Sequence, residues 1–386
     1  MKNNLLVLVL ISLLFCSCGG KKNNENSSSD SLKVDTVENV DKLVLNHFYN
    51  DIARFVAGMP LDESSFLKKY TEKNEWKEYA SNIDKSWNNF EKEKLDVIET
   101  WVGKEFEDIN KNTKNVFYPF SGPDFVYMYS FLPNAENYFM VALEPVGKIP
   151  NIEKIDNNMN SFFGALNNAI RDNLNLSFFI TKNMKGQMNN AQIKGTIPVL
   201  LFFMARMNLH IQDIVPASIS KDGKMSLSSN DKESADKAFT HGVEISFVKS
   251  GEKKISKLYY FSVSIRNDGF EAMPEAETFI KSLPTDMTTI VKSSSYCMHE
   301  DKYNKIRDMV LSHSKYLIQD DSGVPYRFFN QNDWTFNYYG VYTKPIPVFA
   351  HFYQDDMRKI WPQNNTKLNF RFGYNAESNI IVAKRK

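Results

Sequence analysis

Two short apolar runs, residues 116–120 and 138–143, constrain the fold of this chain more than any other feature of its sequence. The first run is apolar and aromatic, as in a buried strand, and the second has the composition of a strand covered on both faces. The segment between them carries the signals of a helix. Strand, helix and strand in this order predict a compact βαβ unit with parallel strands. We therefore expect a mixed α/β (α+β) fold.

The helix between the two runs begins at residues 121–124, whose sequence Ser-Gly-Pro-Asp fits the Ser-x-x-Asp form of a capping box. In such a box the hydroxyl of Ser121 accepts a hydrogen bond from the amide of Asp124, and the carboxylate of Asp124 accepts one from the amide of Ser121. Pro123 suits the first turn, where its missing N–H costs nothing. We expect a short helix from residue 123 to about residue 131.

Three side chains of this unit are candidates for a catalytic site. Ser121 and Asp124 follow the first strand, and Glu144 follows the second. The carboxyl ends of parallel strands meet at one edge of a sheet, where ligands of α/β proteins bind, and a helix N-terminus at that edge favours an anion. The alternative is that Ser121 and Asp124 only cap the helix and that Glu144 pairs with a neighbouring cation.

Residues 1–17 have the pattern of an export signal, with Lys2 followed by an apolar core too short to span a bilayer. The next residues, Phe15-Cys-Ser-Cys-Gly19, resemble the lipobox of bacterial lipoproteins. This resemblance implies that Cys18 carries the lipid, with Cys16 as a competing acceptor; the alternative is an ordinary signal peptide with incidental cysteines. Residues 18–38 are hydrophilic and predict a flexible tether between the membrane and a folded body.

Charge and cysteine content narrow the possible partners. Lys2 is the one charged residue of residues 1–17, so loss of the leader takes the formal net charge from +1 to 0, termini ignored. A neutral chain has no basic excess for nucleic acid, and we expect no nucleic-acid partner. Cys297 is the sole cysteine beyond Cys18, which leaves no intramolecular disulfide. Stability must come from a hydrophobic core, which 42% hydrophobic residues can supply.

Beyond the tether, the pattern predicts a helical segment over residues 39–108 and one mixed α/β domain over residues 109–386. In the helical segment, aromatic and apolar residues from Trp76 to Phe90 recur every three or four positions and form a stripe typical of a core. In the domain, the period changes to two from His241, and a turn around Gly251 predicts an antiparallel hairpin. The end of the chain is aromatic and rich in loops.

A second group of polar residues lies at residues 320–323, where Asp320 and Asp321 precede Ser-Gly in a turn. Adjacent carboxylates can coordinate a hard cation or pair with Arg327, so these three residues are candidates for binding. The alternative is a solvated turn with an Asx cap.

Other chemistries lack the residues that they need. The six histidines are scattered, and the sequence has no HExxH or paired-cysteine motif, so we assign no metal and no cofactor. Cys297 and His299 do not face each other on a helix and have no third orienting group, which disfavours a Cys/His nucleophile.

Three sequence motifs resemble those of a family of uncharacterised bacterial lipoproteins and secreted proteins of the Bacteroidota type. They are Tyr118-Pro-Phe-Ser-Gly-Pro-Asp124, Leu143-Glu-Pro-Val-Gly147 and Gln319-Asp-Asp-Ser-Gly-Val-Pro-Tyr-Arg327. The resemblance covers about residues 110–350. It implies a location in the outer membrane, and it brings no activity and no catalytic residue.

Two classes of function stay open. The first is a lipid-anchored envelope protein, held to the membrane through Cys18, that acts as a non-catalytic binding or structural module for a glycan, a peptide or an envelope protein. Exposed aromatic side chains among residues 334–361 would favour it. The second is an envelope hydrolase or transferase with a carboxylate-based site around Ser121, Asp124 and Glu144. Missing GxSxG, P-loop, GxGxxG and zinc motifs weigh against the second class.

Overall fold

The computed structural model describes residues 46–179, 193, 195–228, 240–375 and 377–386, which belong to one compact unit, Val44–Lys386. The predicted export signal, Cys18 and the tether over residues 18–38 lie outside the described residues.

The α-helices are α1 His47–Val56, α2 Lys68–Thr71, α3 Asn74–Phe90, α4 Asp96–Glu105, α5 Glu107–Asn112, α6 Phe125–Phe131, α7 Ile152–Ile155, α8 Met159–Leu176, α9 Ile197–Arg206, α10 Asn267–Ala272, α11 Pro274–Lys281, α12 Asn304–His313 and α13 Asp355–Ile360. The strands are β1 Asn115–Pro119, β2 Asn137–Ala142, β3 Leu209–Ile219, β4 Met225–Leu227, β5 Thr240–Lys249, β6 Ile255–Ser262, β7 Met287–Val291, β8 Ser314–Gln319, β9 Trp334–Gly340 and β10 Asn379–Arg385. A π-helical turn, Glu91–Leu95, joins α3 to α4.

The strands form one mixed sheet in the order β4-β3-β5-β6-β2-β1-β7-β8-β10-β9. The five central strands, from β6 to β8, are parallel, and the strands outside them pair antiparallel. The βαβ unit is confirmed, because β1, α6 and β2 follow one another and Val116 lies opposite Tyr138 in a parallel ladder. The hairpin of β5 and β6 is confirmed as well. The chain has the mixed α/β fold that its sequence predicts.

Helices cover both faces of the sheet, and the alternation along β1 shows how. Val116 and Tyr118 belong to the larger core, under the N-terminal helices, α8 and α9, whereas Phe117 belongs to a second core under α10, α11 and α12. Successive side chains of a strand point to opposite faces, so a strand buried on both sides needs an unbroken apolar run. This requirement explains the composition of residues 116–119 and 138–142.

The predicted helical segment packs against the larger core. The stripe from Trp76 to Phe90 is buried as predicted, and the ring of Tyr79 stacks on Phe163 of α8 with 3.8 Å between centroids. The indole N–H of Trp76 donates to the carbonyl of Phe55 at 3.1 Å. These helices therefore share one core with the sheet. None of the helices in the described ranges combines the length and the apolarity that a membrane crossing requires.

The aromatic residues near the C-terminus mostly pack inward. Tyr342 and Trp361 are buried in a small cluster of their own with Met357 and Ile381. Tyr353 is exposed, at 39% of its surface. The described part of this segment therefore covers the domain more than it presents aromatic rings to a partner.

Candidate functional site

The site lies where the strand order reverses. From β1 the chain adds β2 and later β6 on one side, and it then crosses to place β7 and β8 on the other side of β1. Such a topological switch point opens a crevice at the carboxyl ends of the parallel strands, and ligands of α/β proteins bind there.

A cavity of about 450 Å³ occupies this crevice. Its walls come mainly from the segments that follow β1, β2, β6 and β7, together with two phenylalanines beyond α8. The residues that line it are Tyr118, Phe120, Ser121, Gly122, Asp124, Val141, Ala142, Leu143, Glu144, Phe178, Phe179, Val263, Ser264, Ile265, Arg266, Asp268, Lys292, Ser293, Ser294, Ser295, Cys297 and Tyr303. The structure therefore brings the three predicted catalytic candidates, Ser121, Asp124 and Glu144, to one cavity.

Asp124 is the most heavily bonded of these three side chains. Its Oδ2 accepts hydrogen bonds from Lys292 Nζ at 2.7 Å and from the hydroxyl of Tyr118 at 3.0 Å, and its Oδ1 accepts one from Asn173 Nδ2 at 2.9 Å. Both members of the ion pair are buried. Lys292 Nζ also lies 4.2 Å from the ring centroid of Tyr127, in a cation–π contact. Asp124 is therefore a compensated charge in the wall of the cavity.

The predicted capping box is wrong. Helix α6 begins at Phe125, and the side chain of Asp124 makes no capping hydrogen bond. The hydroxyl of Ser121 donates to the carbonyl of Val141 at 3.4 Å, a contact at the weak limit of hydrogen bonding. The local sequence predicts a capping box because it does not show the partner of the carboxylate. Lys292, 168 residues further along the chain, donates a hydrogen bond to Asp124 in place of the amide of Ser121.

Glu144 lies two residues beyond the end of β2 and is buried in the wall of the cavity. Burial raises the pKa of its carboxyl group, and backbone hydrogen bonds at Glu144 and Leu143 act in the opposite direction. In the described ranges no ion pair includes Glu144, so the alternative of a neighbouring cation is not observed there. The backbone carbonyl of Glu144 accepts a hydrogen bond from Tyr260 at 2.9 Å, which fixes the chain at this point.

The segment after β7 adopts an unusual backbone. Ser293, Ser295 and Tyr296 have φ values of 52°, 54° and 54°, in the left-handed region that non-glycine residues rarely occupy. Each such residue costs on the order of 1 kcal/mol and persists only where its surroundings hold it. Here the amide of Ser293 donates to Asp320 Oδ1 at 3.2 Å, and the amide of Ser295 donates to the hydroxyl of Tyr374 at 3.0 Å.

Asp320 and Asp321 lie behind this segment and do not line the cavity. Both are fully buried, so the alternative of a solvated turn is wrong. Burial and the neighbouring Asp321 raise the pKa of Asp320 to about 7, and burial raises the pKa of Asp321. Asp321 accepts hydrogen bonds from the hydroxyl of Tyr296 at 2.6 Å and from Asn379 Nδ2 at 3.0 Å. The two aspartates therefore support the strained segment.

Arg327 is not brought to these aspartates. Its side chain is exposed, its Nη2 donates to the carbonyl of His299 at 3.4 Å, and its guanidinium group lies 4.8 Å from the ring centroid of Phe328. The predicted pairing of Arg327 with Asp320 and Asp321 is therefore not observed. In the part of the chain that the structure describes, no three His, Cys, Asp or Glu residues form a group that could hold a metal ion.

Sequence reasoning missed several residues of the cavity. Lys292 and the paired Arg266 and Asp268 are the important ones, because they set the charge of the walls. A usable signal was present: residues 287–291 form a buried strand, and Lys292 is the first polar residue after it. Cys297 also lines the cavity, and burial raises the pKa of its thiol, as for a small apolar residue.

Comparison of the chain with protein-family models, with curated proteins and with solved structures gave no significant match in any of the three. The class of this protein is therefore defined by its geometry. It is a mixed α/β protein, and its candidate site lies at the switch point of its parallel strands.

Proposed function

We propose that this protein is a lipid-anchored envelope protein that binds a small organic molecule in the switch-point cavity. The observation that carries the proposal is the cavity itself, about 450 Å³ in volume and placed at the carboxyl ends of adjacent parallel strands. Ligand sites are typically concave, largely apolar and equipped with a few fixed polar groups. Here the apolar walls include Phe178, Phe179 and Val263, and the fixed groups include Asp124 with Lys292.

We also propose that a lipid on Cys18 anchors the chain to the membrane. The pattern of residues 1–17 and the cysteine at position 18 support export and lipidation, and the tether over residues 18–38 would hold the folded unit away from the bilayer. The resemblance to Bacteroidota-type lipoproteins supports the outer membrane as the location.

Labelling cells with an alkyne analogue of palmitate tests the anchor. We expect the label on the wild-type chain and on Cys16→Ser, and its loss in Cys18→Ser. Equal labelling of Cys18→Ser and wild type would contradict lipidation at Cys18.

Ligand binding is tested by thermal unfolding of the full chain, purified in a nonionic detergent, with a panel of small molecules of mixed charge. A ligand at 100 times its Kd adds about 2.7 kcal/mol to the free energy of unfolding. Leu143, which is 63% exposed on the rim of the cavity, is replaced by Trp to obstruct the opening. The matched control is Val348→Trp, because Val348 is 69% exposed and does not line the cavity.

We expect the stabilisation by a binding compound to be lost in Leu143→Trp and kept in Val348→Trp. A compound that stabilises both variants equally binds elsewhere. Stabilisation by no compound would contradict ligand binding and would favour a structural role in the envelope.

A second candidate function, an envelope hydrolase or transferase, is favoured by Glu144, whose buried carboxyl group has a raised pKa and shares the cavity with Ser121. Asp124 is not available as its acid or base, because Lys292 and two further donors occupy its carboxylate. Chromatography of a bound compound after incubation distinguishes the two functions. Recovery of the unchanged compound supports the binding module, whereas a product that Glu144→Gln fails to form supports the enzyme.

A further inference from the structure

Among its described residues, the cavity has one more carboxylate than it has basic side chains. Three carboxylates and two basic groups line it among the residues that the structure describes. Lys292 pairs with Asp124 at 2.7 Å, and Arg266 pairs with Asp268 at 3.0 Å. Glu144 is the remaining charge, and no described residue forms an ion pair with it. The described wall therefore holds one carboxylate without an ion-pair partner.

Aromatic rings form a large part of the same wall. They are Tyr118, Phe120, Phe178, Phe179 and Tyr303. The face of an aromatic ring attracts a cation, and several rings around one carboxylate are the arrangement by which proteins recognise ammonium groups. Neutral apolar residues, among them Val141, Val263 and Ile265, complete the wall and suit the hydrocarbon part of a ligand.

We propose that the cavity binds an organic cation, a small primary amine or quaternary ammonium compound with an apolar or aromatic body. The cationic group lies at Glu144, and the body lies against the rings and the aliphatic side chains. The inference rests on the proposed function, since it assigns the ligand class of the same cavity.

Ligands of the opposite charge are disfavoured by the same contacts. An anion would meet the carboxylate of Glu144 without compensation. To reach a cation of the wall it would have to displace Asp124 from Lys292, which would leave Asp124 buried without its partner. The alternative for an anion is Arg266 at the rim, where the pair with Asp268 is half exposed and weaker.

Burial supports this assignment. The side chain of Glu144 is buried, and burial disfavours the ionised form of its carboxyl group and raises its pKa. A ligand cation removes that penalty, because an opposite charge within hydrogen-bonding distance favours the ionised form. An uncharged ligand of the same shape gains the apolar contacts without this electrostatic contribution.

Three probes with the same aromatic body and different heads test the proposal: 2-phenylethylamine, 2-phenylethanol and 3-phenylpropanoate. Isothermal titration calorimetry on the full chain in a nonionic detergent gives the affinity of each. We expect the amine to bind at least about tenfold more tightly than the alcohol, as a charge-assisted hydrogen bond allows, and the acid to bind most weakly.

The diagnostic variant is Glu144→Gln, which removes the charge and keeps the volume. We expect it to bind the amine and the alcohol about equally. Its matched control is Glu277→Gln, because Glu277 is a glutamate outside the cavity that pairs with Lys281 and Lys305. Thermal unfolding checks that each variant is folded. If Glu144→Gln does not fold, Leu143→Trp is measured instead. Obstruction of the rim in this variant should abolish the preference for the amine.

The outcomes separate the inference from the proposed function. Preference for the amine that Glu144→Gln abolishes and Glu277→Gln keeps supports the cation site. Equal or tighter binding of the alcohol or the acid overturns it while the cavity stays a ligand site. Binding of none of the three at millimolar concentration overturns the cation site and counts against the ligand-binding function as well.

Discussion

Asp124 forms one group of buried acidic side chains and Asp320 with Asp321 forms another, and the two groups are stabilised by different means. Asp124 has a cation, Lys292, at 2.7 Å and accepts two further hydrogen bonds. Asp320 and Asp321 have no ion pair in the described ranges and depend on hydroxyl, amide and backbone donors. One oxygen of Asp320 has no described partner at all.

The carboxylate of Asp124 already has a cation of the protein as its partner, so this pair fixes the electrostatics of the cavity wall without a ligand. Hydrogen bonds alone do not offset the burial of two adjacent carboxylates, and the pKa of Asp320 rises to about 7 as a result. We infer that the first group shapes the site and that the second holds the strained segment behind it.

Replacing Lys292 by Met should have the largest effect. Met keeps most of the volume but leaves Asp124 buried without its cation, and breaking a buried pair in this way costs about 3–5 kcal/mol. Urea denaturation of the full chain measures the loss. The matched control, Lys305→Met, removes a surface partner of Glu277 and should cost about 1 kcal/mol or less.

The double variant Asp124→Asn/Lys292→Met sharpens this test. We expect it to recover a large part of the stability lost in Lys292→Met, because no uncompensated charge remains. A single variant as stable as Lys305→Met would contradict the role of the ion pair.

In the second group, Tyr296→Phe should cost about 2 kcal/mol, because it removes the 2.6 Å hydrogen bond from the hydroxyl to Asp321. The same denaturation experiment measures it. Tyr353→Phe is the control, since Tyr353 is exposed and should change the free energy of unfolding by about 0.5 kcal/mol or less. Equal losses in the two variants would show that the hydroxyl of Tyr296 does not support Asp321.

Asp320 should make the stability of the protein depend on pH. Asp320 keeps its proton up to pH about 7 in the folded protein, against 3.8 in the unfolded chain. Between these values the folded state binds more protons, so the contribution of Asp320 to stability falls as pH rises from about 4 to 7. Asp320→Asn should lose this contribution, so its free energy of unfolding should change less between pH about 4 and 7 than that of the wild type. Identical pH profiles for wild type and Asp320→Asn would refute the raised pKa.

The smallest expected effect is that of Ser121→Ala. A capping serine contributes about 1 kcal/mol, whereas the 3.4 Å contact of Ser121 with Val141 should contribute about 0.5 kcal/mol or less. Thermal unfolding measures the difference, and Ser130→Ala, which removes a 2.7 Å bond to Val126 within α6, is the comparison. If Ser121→Ala lowers the free energy of unfolding by about 1 kcal/mol or more, as the loss of a capping serine does, the capping interpretation is supported again.

Sequence predicted the βαβ unit, the N-terminal stripe and the hairpin, because each depends on a local period. It also placed Ser121, Asp124 and Glu144 at one edge, since the rule for parallel strands needs only the strand ends. The role of Asp124 could not be predicted in this way. Its partner Lys292 arrives through the pairing of β1 with β7, a contact between distant segments that no local pattern encodes.

That pairing has a consequence for the growing chain. Synthesis proceeds from the amino terminus, so Asp124 exists through 168 further residues before Lys292 is added. At cellular rates of synthesis this takes on the order of 10 s. During that time β1 lacks β7, one of the two strands that flank it. Packing of the core around β1 at this stage would bury the carboxylate of Asp124 without its ion-pair partner. The ion pair therefore makes the central sheet sensitive to the completeness of the chain, because a polypeptide that ends before β7 cannot neutralise Asp124 with Lys292.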